Sequence, residues 1–277
     1  MSGVLYIVAT PIGNLGDITI RAVEILKCVD FVLAEDTRHS KKLFAHYEIN
    51  SPLSAFHEHN ENEKVPSIIS EINSGKSIAL ISEAGTPLIS DPGYQLVSEA
   101  IKIGVRVVPI PGPSAAIAAL SSSGIASSSF TFFGFLPSKQ ALRLKFLKAK
   151  KSLNEAIIFY ESPKRILSSL EDMLEVFGKD REVCLAKELT KSFETILNDK
   201  LPNLIDYLES DSNHQKGEFV IIVAPNDKID LDEALRQLEE ILPILCDEMG
   251  ASKAAKLAAK ITGLDKKYCY KLSLIHI

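Results

Sequence analysis

Short apolar runs alternate with helical patterns along the first half of the chain. Four runs rich in Val, Ile, Leu and Ala predict buried strands, at residues 4–9, 29–34, 77–82 and 105–109. Apolar positions at helical spacing predict four helices, at residues 18–27, 62–74, 93–103 and 114–123. Strands that alternate with helices of this length indicate βαβ units and a largely parallel sheet. We therefore predict an N-terminal α/β domain at residues 1–118.

The second half predicts another α/β domain, at residues 119–226. Four further apolar runs predict its strands, at residues 130–135, 155–160, 182–187 and 219–224. Ser162-Pro163 has the residue types of a helix start, with Ser as the N-cap and Pro at the first position. The pattern differs from that of the first half, and we predict a more mixed sheet here. A ligand cleft between two such domains is a common arrangement.

From residue 227 to residue 277 the pattern is helical only. It predicts helices at 231–249, 252–262 and 264–272, with a turn at Gly263. Lys253, Lys256 and Lys260 fall on one helical face. A helix-turn-helix would account for the two short helices and this lysine stripe. A packed C-terminal helical segment with a solvated lysine face accounts for them as well, and the sequence favours it slightly.

Composition and charge are those of a globular protein of the reducing cytoplasm. The chain has 277 residues, of which 46% are hydrophobic. No apolar run approaches the length that spans a bilayer, and the first residues lack the basic and apolar regions of a secretory signal. The four cysteines lie far apart in the sequence, which argues against a disulfide framework or a zinc site. We predict no metal and no membrane association.

The charge distribution points to a local basic patch. The net charge is −5, which argues against a surface coated for non-specific nucleic-acid binding. Yet no acidic residue occurs between Glu99 and Glu155, and six basic residues crowd into 139–151. Such a patch suits a partner with phosphates, and a solvated basic helix is the equally weighted alternative. Its candidate RNA contacts are Lys139, Arg143, Lys145 and Lys148.

Turns rich in glycine and proline follow the predicted strands. They are the segments 10–14, 84–87, 91–93 and 111–114. In an open α/β sheet, ligands bind beyond the carboxyl ends of the strands, and such turns let backbone approach a ligand closely. No G-x-G-x-x-G or G-x-x-x-x-G-K-[ST] string occurs. The turns therefore predict a small-molecule site for a ligand that lacks a pyrophosphate.

Two clusters of ionisable residues are candidates for chemistry. The segment 34–39, which contains Glu35, Asp36 and Arg38, ends a strand where side chains face a cleft. An Asp helix cap followed by a basic first turn is its structural alternative, although Arg there opposes the helix dipole. His57 and His59 suggest a metal site by their spacing, but a polar loop before a helix is favoured because no H-E-x-x-H string is present.

The strings LYIVATPIGNL at 5–15, AEDTR at 34–38, AGTPLISDPG at 84–93 and PIPGPSA at 109–115 closely resemble the bacterial ribosomal RNA small-subunit methyltransferase I family. That family belongs to the tetrapyrrole methylase superfamily. The strings GFLP at 134–137, FYES at 159–162, KELT at 187–190 and KGE at 216–218 extend the likeness through the second half. The helical tail is also similar, except that 272–277 leaves the pattern. This chain has Glu83 where the family usually has Asp.

The resemblance implies S-adenosylmethionine bound between two α/β domains, with a small C-terminal helical segment beyond them. It implies methylation of the ribose 2′-hydroxyl of a decoding-centre cytidine, cytidine 1402, in 16S rRNA of the small ribosomal subunit. It also implies a homodimer. Two alternatives stay open: a precorrin or uroporphyrinogen methyltransferase of the same fold, and a non-enzymatic nucleic-acid-binding protein.

The resemblance also suggests site residues. Asp36, Arg38 and Glu188 are predicted to be catalytic, with Arg38 holding phosphate and Asp36 or Glu188 taking the proton. Glu35 and Lys187 are predicted to line the same acceptor side. The predicted cofactor contacts are Pro11, Gly13, Glu83, Ala84, Gly85, Thr86, Asp91, Ser114, Ala115, Tyr160 and Leu189.

Overall fold

The computed structural model describes residues 3–125, 128–226 and 231–274, with backbone alone at 231–233. The first five strands form one sheet in the order β3-β2-β4-β1-β5, and every pairing in it is parallel. These strands are β1 (Val4–Val8), β2 (Phe31–Ala34), β3 (Leu53–Ala55), β4 (Ile78–Ile81) and β5 (Arg106–Ile110). The four strands predicted in this half are confirmed, and the short edge strand β3 is an addition.

Five helices belong to this half of the chain. They are α1 (Ile20–Cys28), α2 (Thr37–His46), α3 (Glu61–Asn73), α4 (Tyr94–Lys102) and α5 (Ala115–Ser122). The first two pack on one face of the sheet through Leu26 and Phe44, and the next two pack on the other through Ile72 and Leu96. Helices on both faces of a parallel sheet confirm the predicted α/β class. Helix α2 was not predicted, because its sequence is mostly polar.

The second sheet has the order β6-β7-β10-β8-β9. It contains β6 (Phe130–Phe135), β7 (Ala156–Glu161), β8 (Glu182–Lys187), β9 (Thr195–Lys200) and β10 (Phe219–Val223). Only the β6–β7 pairing is parallel, and the other three are antiparallel. The predicted mixed sheet is therefore confirmed.

One face of this sheet carries three helices and the other carries α5. The three are α6 (Gln140–Lys148), α7 (Ile166–Phe177) and α8 (Leu201–Ser210). Ala116 and Ala119 of α5 pack against Ile158 and Val220. Since α5 directly follows β5, it joins the two sheets. The predicted helix start at Ser162 is wrong by about one turn. Helix α7 begins at Ile166, and residues 162–165 form a turn in which the Ser162 carbonyl accepts from the backbone N–H groups of Arg165 and Ile166.

The C-terminal segment packs three helices around a small core. They are α9 (Leu231–Met249), α10 (Ala251–Thr262) and α11 (Lys266–Ser273). Leu238, Leu242, Ala258 and Cys269 form that core. Gly263 ends α10 in the left-handed conformation, with φ +70°. The predicted segment boundary at 227 lies outside the described residues. Of the divergent end at 272–277, residues 275–277 lie outside them as well.

The three lysines of the predicted stripe are all exposed on α10. Within the ranges that the structure describes, no helix has both the length and the apolar character required to cross a bilayer.

Candidate active site

A cavity of about 360 Å³ lies between the two sheets. The first sheet contributes residues that follow the carboxyl ends of its strands: Ile12 after β1, Glu35 after β2, the 83–91 loop after β4 and Ser114 after β5. Ligands of parallel α/β sheets bind at this edge. The second sheet closes the cavity with Phe135, Tyr160 to Pro163, Leu189, and Glu218 to Val220.

Hydrogen bonds fix the loops of the first sheet to one another. Thr10 and Gly85 exchange backbone hydrogen bonds of 2.9 and 3.0 Å. The Ser82 hydroxyl donates to the Gly85 carbonyl at 2.8 Å, and the Thr86 hydroxyl donates to the Pro113 carbonyl at 3.1 Å. Gly85 has φ +85°, a conformation that favours glycine. This side of the cavity is therefore a rigid frame built largely of backbone.

Backbone strain also concentrates beside the cavity. Among the described residues, five that are not glycine have positive φ, and four of them flank it. Leu88 and Ser90 both have φ +70° in the loop after β4, and Glu188 and Thr190 have φ +51° and +65° after β8. Such conformations are costly and occur mainly at functional sites.

The cavity wall is acidic. Glu35, Glu83 and Asp91 all line it. Burial and the neighbouring Glu35 and Glu83 carboxylates raise the pKa of Asp91 to about 6, although a hydrogen bond with Ser82 acts in the opposite direction. Burial and the Glu83 charge likewise raise the pKa of Glu35. A cationic ligand group would relieve this repulsion, and a carboxylate with a pKa near neutrality can accept a proton.

Nine of the eleven predicted cofactor contacts line the cavity: Glu83, Ala84, Gly85, Thr86, Asp91, Ser114, Ala115, Tyr160 and Leu189. The structure does not bring Pro11 and Gly13 into the lining, where Ile12 stands instead. Gly13 has a packing reason to be glycine. A Cβ there would lie 2.5 Å from Cγ of Lys191 and 3.0 Å from the Leu189 carbonyl oxygen.

The structure corrects the predicted acceptor side at Asp36 and Arg38. Neither residue lines the cavity, whereas Glu35 does. Asp36 is the N-cap of α2 and accepts from the Arg38 backbone N–H at 2.8 Å. Hydrogen bonds from the backbone and side chain of Arg38 lower the pKa of Asp36, which makes it a weak base. The helix-cap alternative therefore describes this segment.

Glu188 is also held away from the cavity lining. Its carboxylate accepts from Nζ of Lys191 at 2.8 Å and from the Glu218 backbone N–H at 2.9 Å. Burial acts to raise the pKa of Glu188, but these two hydrogen bonds outweigh it and the net pKa is lowered. Lys187 is buried and donates to the Asn213 carbonyl at 2.7 Å. Both side chains hold the loops behind the site together.

The predicted RNA contact at Arg143 is wrong, because this side chain is buried. Its Nε lies 2.6 Å from a carboxylate oxygen of Asp172, and both side chains are under 5% exposed. The guanidinium also donates to the carbonyls of Pro137 and Ser138. Lys139, Lys145 and Lys148 remain exposed, so a smaller basic surface survives on α6.

The histidine pair belongs to a turn that leads into α3. Nε2 of His57 lies 3.1 Å from the side-chain nitrogen of Asn60, and the rings of His57 and His59 are 6.0 Å apart. Over the described ranges, no group of three or more His, Cys, Asp or Glu is arranged to hold a metal ion. The loop alternative therefore fits this segment.

Sequence reasoning did not name several residues of the cavity wall. They are Ile12, Ile89, Ser90, Phe135, Glu161, Ser162, Pro163, Glu218, Phe219 and Val220. Most of them stand inside the strings that carried the family resemblance, so a stricter reading of those strings could have found them. Glu161 stands in the string at 159–162, but nothing in that string indicates its buried partners. Its carboxylate is buried and accepts a hydrogen bond of 2.7 Å from the Ser169 hydroxyl, and its Oε1 lies 2.7 Å from Nη2 of Arg165.

Comparisons with known proteins agree with this architecture. The family model for tetrapyrrole (corrin/porphyrin) methylases matches residues 4–205. The model for the RsmI C-terminal HTH domain matches residues 231–275. That match supports the helix-turn-helix alternative for the C-terminal segment, which the sequence alone had slightly disfavoured.

Full-length relatives carry a common name. The chain is 50% identical over 274 residues to "Ribosomal RNA small subunit methyltransferase I" of Pseudomonas aeruginosa, covering 99% of this chain and 97% of the relative. It is 51% identical to the protein of the same name from Vibrio cholerae, covering 98% and 94%.

Two solved structures show the fold. Diphthine synthase aligns with a TM-score of 0.62 at 15% identity, covering 80% of this chain and 90% of its own. A cobalt precorrin-4 methyltransferase aligns with a TM-score of 0.57 at 18% identity, covering 79% and 94%. The predicted fold class is thereby confirmed.

Proposed function

Since the chain belongs to the ribosomal RNA small subunit methyltransferase I family of the tetrapyrrole methylases, we propose that it methylates the ribose 2′-hydroxyl of cytidine 1402 in 16S rRNA. The methyl donor in this proposal is S-adenosylmethionine. The observation that carries it is the acidic cavity between the two sheets, in a chain about half identical to methyltransferases of that name.

The cavity suits S-adenosylmethionine in size and charge. Its volume of about 360 Å³ fits one small ligand of this kind. The cofactor carries a cationic sulfonium and an ammonium group, and Glu35, Glu83 and Asp91 provide complementary charge. The backbone around Gly85 and the side chain of Tyr160 would hold its remaining atoms. When bound, S-adenosylmethionine supplies a methyl group activated by attachment to positively charged sulfur.

The protein's own task is to align the acceptor hydroxyl and to remove its proton. Correct alignment of reacting groups supplies several kcal/mol of a reaction barrier. Asp91 replaces Asp36 and Glu188 as the proposed base, because it lines the cavity and its pKa is raised to about 6. The Ser82 side chain lies close enough to Asp91 to lower the pKa of its carboxyl in part. Glu35 is still proposed to line the side of the cavity where the acceptor ribose binds.

Exposed basic residues would hold the RNA backbone outside the acidic cavity. Helix α6 starts five residues after the cavity-lining Phe135. Lys139 is therefore the nearest of the three lysines to the cavity wall along the chain, and Lys145 and Lys148 follow farther along the helix. The lysine face of α10 is a second candidate contact. The proposal also includes a homodimer in the cytoplasm, and light scattering of the purified protein tests the dimer.

An acidic cavity is a poor place for a tetrapyrrole precursor. Such a ring carries several carboxylates, and Glu35, Glu83 and Asp91 would repel them. The likeness to the precorrin methyltransferase extends to the fold alone. A non-enzymatic role is excluded by membership of a methyltransferase family.

The deciding experiment is methyl transfer from labelled S-adenosylmethionine to small subunits purified from cells that lack this modification. The product is mapped by resistance to alkaline cleavage, because a 2′-O-methyl group blocks attack by that hydroxyl. Label at one resistant cytidine supports the proposal. Cofactor binding without label in RNA would reject the acceptor and keep the fold.

A further inference from the structure

A β-bulge in strand β6 places an aromatic ring at the mouth of the cavity. Phe132 pairs with Ile158 and Phe135 pairs with Tyr160, so β6 has one more residue between the two pairs than β7 has. Gly134 has φ +66°, which accommodates the extra residue. Such bulges redirect side chains and recur beside active sites.

The bulge determines which face of the sheet Phe135 occupies. Side chains alternate along a strand, so without the extra residue Phe135 would share the face of Phe133, which packs against Phe146 and Phe159. Instead, Phe132 and Phe135 both contact Tyr160 edge to face, with ring centroids 4.7 and 5.7 Å away. Phe135 thereby lines the cavity.

The ring of Phe135 is only partly covered by the protein. It is 54% exposed, although Phe159 on the neighbouring strand is fully buried. The opposite loop packs closely here, because a Cβ on Gly134 would lie 3.0 Å from the Ser90 hydroxyl oxygen. The strained Ser90 loop and the bulge therefore hold an exposed aromatic surface in a fixed position at the rim.

We propose that Phe135 is a stacking platform for the nucleobase of the acceptor nucleotide. This inference rests on the proposed function. A cavity of about 360 Å³ has room for one cofactor-sized ligand, so the acceptor nucleotide must enter at the rim. To present its ribose there, the nucleotide has to leave its neighbours in the RNA, and an aromatic side chain replaces the stacking that it loses.

Conservative substitutions separate this role from packing. Phe135→Leu keeps an apolar side chain and removes the ring, and Phe135→Tyr keeps the ring. Phe130→Leu is the matched control, because Phe130 lies on the same strand with 43% exposure and does not line the cavity. The measurements are single-turnover methylation of unmodified small subunits at varied subunit concentration, and S-adenosylhomocysteine affinity by calorimetry.

We expect Phe135→Leu to raise the small-subunit concentration needed for half-maximal methylation on the order of 10-fold, in keeping with the loss of one base–aromatic stack. S-adenosylhomocysteine affinity should stay unchanged. Phe135→Tyr, which keeps the ring, should lose less affinity for small subunits than Phe135→Leu, and Phe130→Leu should behave like the wild type. Should Phe135→Leu fold poorly by its melting curve, Phe135→Met takes its place.

The proposal is overturned if Phe135→Leu methylates normally, or if it loses S-adenosylhomocysteine affinity in parallel with RNA, because the ring would then contact the cofactor. The wild-type reaction separates this failure from failure of the proposed function. A wild-type protein that binds cofactor but labels no small subunit rejects the proposed function, and the platform with it.

Discussion

The backbone N–H of Ala116 donates a hydrogen bond of 3.3 Å to the hydroxyl oxygen of Tyr160. Ala116 lies in the first turn of α5, where backbone N–H groups lack partners within the helix. Tyr160 lies on β7 of the second sheet and its side chain lines the cavity. One hydroxyl thus joins the two halves of the site at the point where a ligand would contact both.

Tyr160→Phe should remove the hydrogen bond that connects helix α5 to the second sheet. We expect the free energy of unfolding to fall by about 1 kcal/mol, the usual effect of one lost hydrogen bond. The melting temperature would then drop by roughly 2–4 °C, and the stabilisation given by S-adenosylhomocysteine should shrink. Tyr47→Phe is the control, because its hydroxyl donates to the Leu15 carbonyl away from the cavity lining. An equal loss of ligand stabilisation in both variants would contradict the prediction.

Asp91→Asn should stabilise the ligand-free protein while it abolishes methyl transfer. The native pKa of Asp91 is raised from 3.8 to about 6, so between those pH values the native state binds more protons than the unfolded state. The free energy of unfolding therefore decreases as pH rises through this window. At pH 8, removal of the Asp91 charge should raise the free energy of unfolding by about 1–2 kcal/mol, a value that allows for solvent screening.

The same variant tests the acidic cavity as a cation site. Wild-type affinity for S-adenosylmethionine should rise as pH increases through about 6, because Asp91 becomes charged. Affinity for S-adenosylhomocysteine, which has no sulfonium charge, should depend less on pH. Calorimetry at pH 5.5 and 8 measures both. If the pH dependence of S-adenosylmethionine affinity is unchanged in Asp91→Asn, Asp91 is not the group that causes it.

The sequence predicted strands better than it predicted contacts. Runs such as 77–82 are apolar because β4 is buried on both faces, so the pattern reports the strand directly. The turns after β4 and β5 carry glycine and proline for backbone reasons, and most of the predicted cofactor contacts that line the cavity lie in or beside them. The two predicted contacts from the turn after β1, Pro11 and Gly13, do not line it. Where the backbone of a turn forms the cavity wall, the glycine and proline residues of that turn mark its position in the sequence.

Side chains whose roles depend on distant partners could not be predicted in this way. Arg143 looks like a member of a basic patch until Asp172, 29 residues away, is placed beside it. The sequence suggests that Glu188 is a carboxylate of the cleft, but in the structure its carboxylate accepts hydrogen bonds from Lys191 and from the Glu218 backbone. Charge in a sequence does not reveal which charges are paired, since the pairing is set by tertiary packing.

Gly217→Ala should destabilise the loop that supports Glu218 in the cavity wall. Gly217 has φ +98°, and an added Cβ would lie 2.5–2.6 Å from side-chain atoms of Glu188. Gly178→Ala is the matched control, with φ +82° and open space around the Cβ. In chemical denaturation, the free energy of unfolding of Gly217→Ala should fall by about 1–3 kcal/mol more than that of Gly178→Ala. Equal losses would mean that backbone strain alone acts at both positions.

Arg143→Ala should be among the most destabilising substitutions on α6. It leaves the buried Asp172 carboxylate without its cation, and the removal of one partner from a buried pair usually costs about 3–5 kcal/mol. Lys145→Ala, two residues away on the exposed face, should change the free energy of unfolding by less than about 0.5 kcal/mol. Denaturant melts measure both, and similar midpoints would contradict the buried ion pair.

Charge reversal on the exposed face of α6 should weaken RNA binding in a graded order. Lys139 is the N-cap of α6 and follows the cavity-lining Phe135 by four residues, whereas Lys148 lies at the far end and 3.6 Å from Glu175. Lys139→Glu should therefore reduce affinity for small subunits more than Lys148→Glu. It should also lower the slope of log affinity against log salt by about 1. Lys27→Glu, at the end of α1 far from the cavity edge, should leave the slope unchanged. Equal slopes for all three variants and the wild type would identify the basic face of α6 as a solvated surface that does not bind RNA.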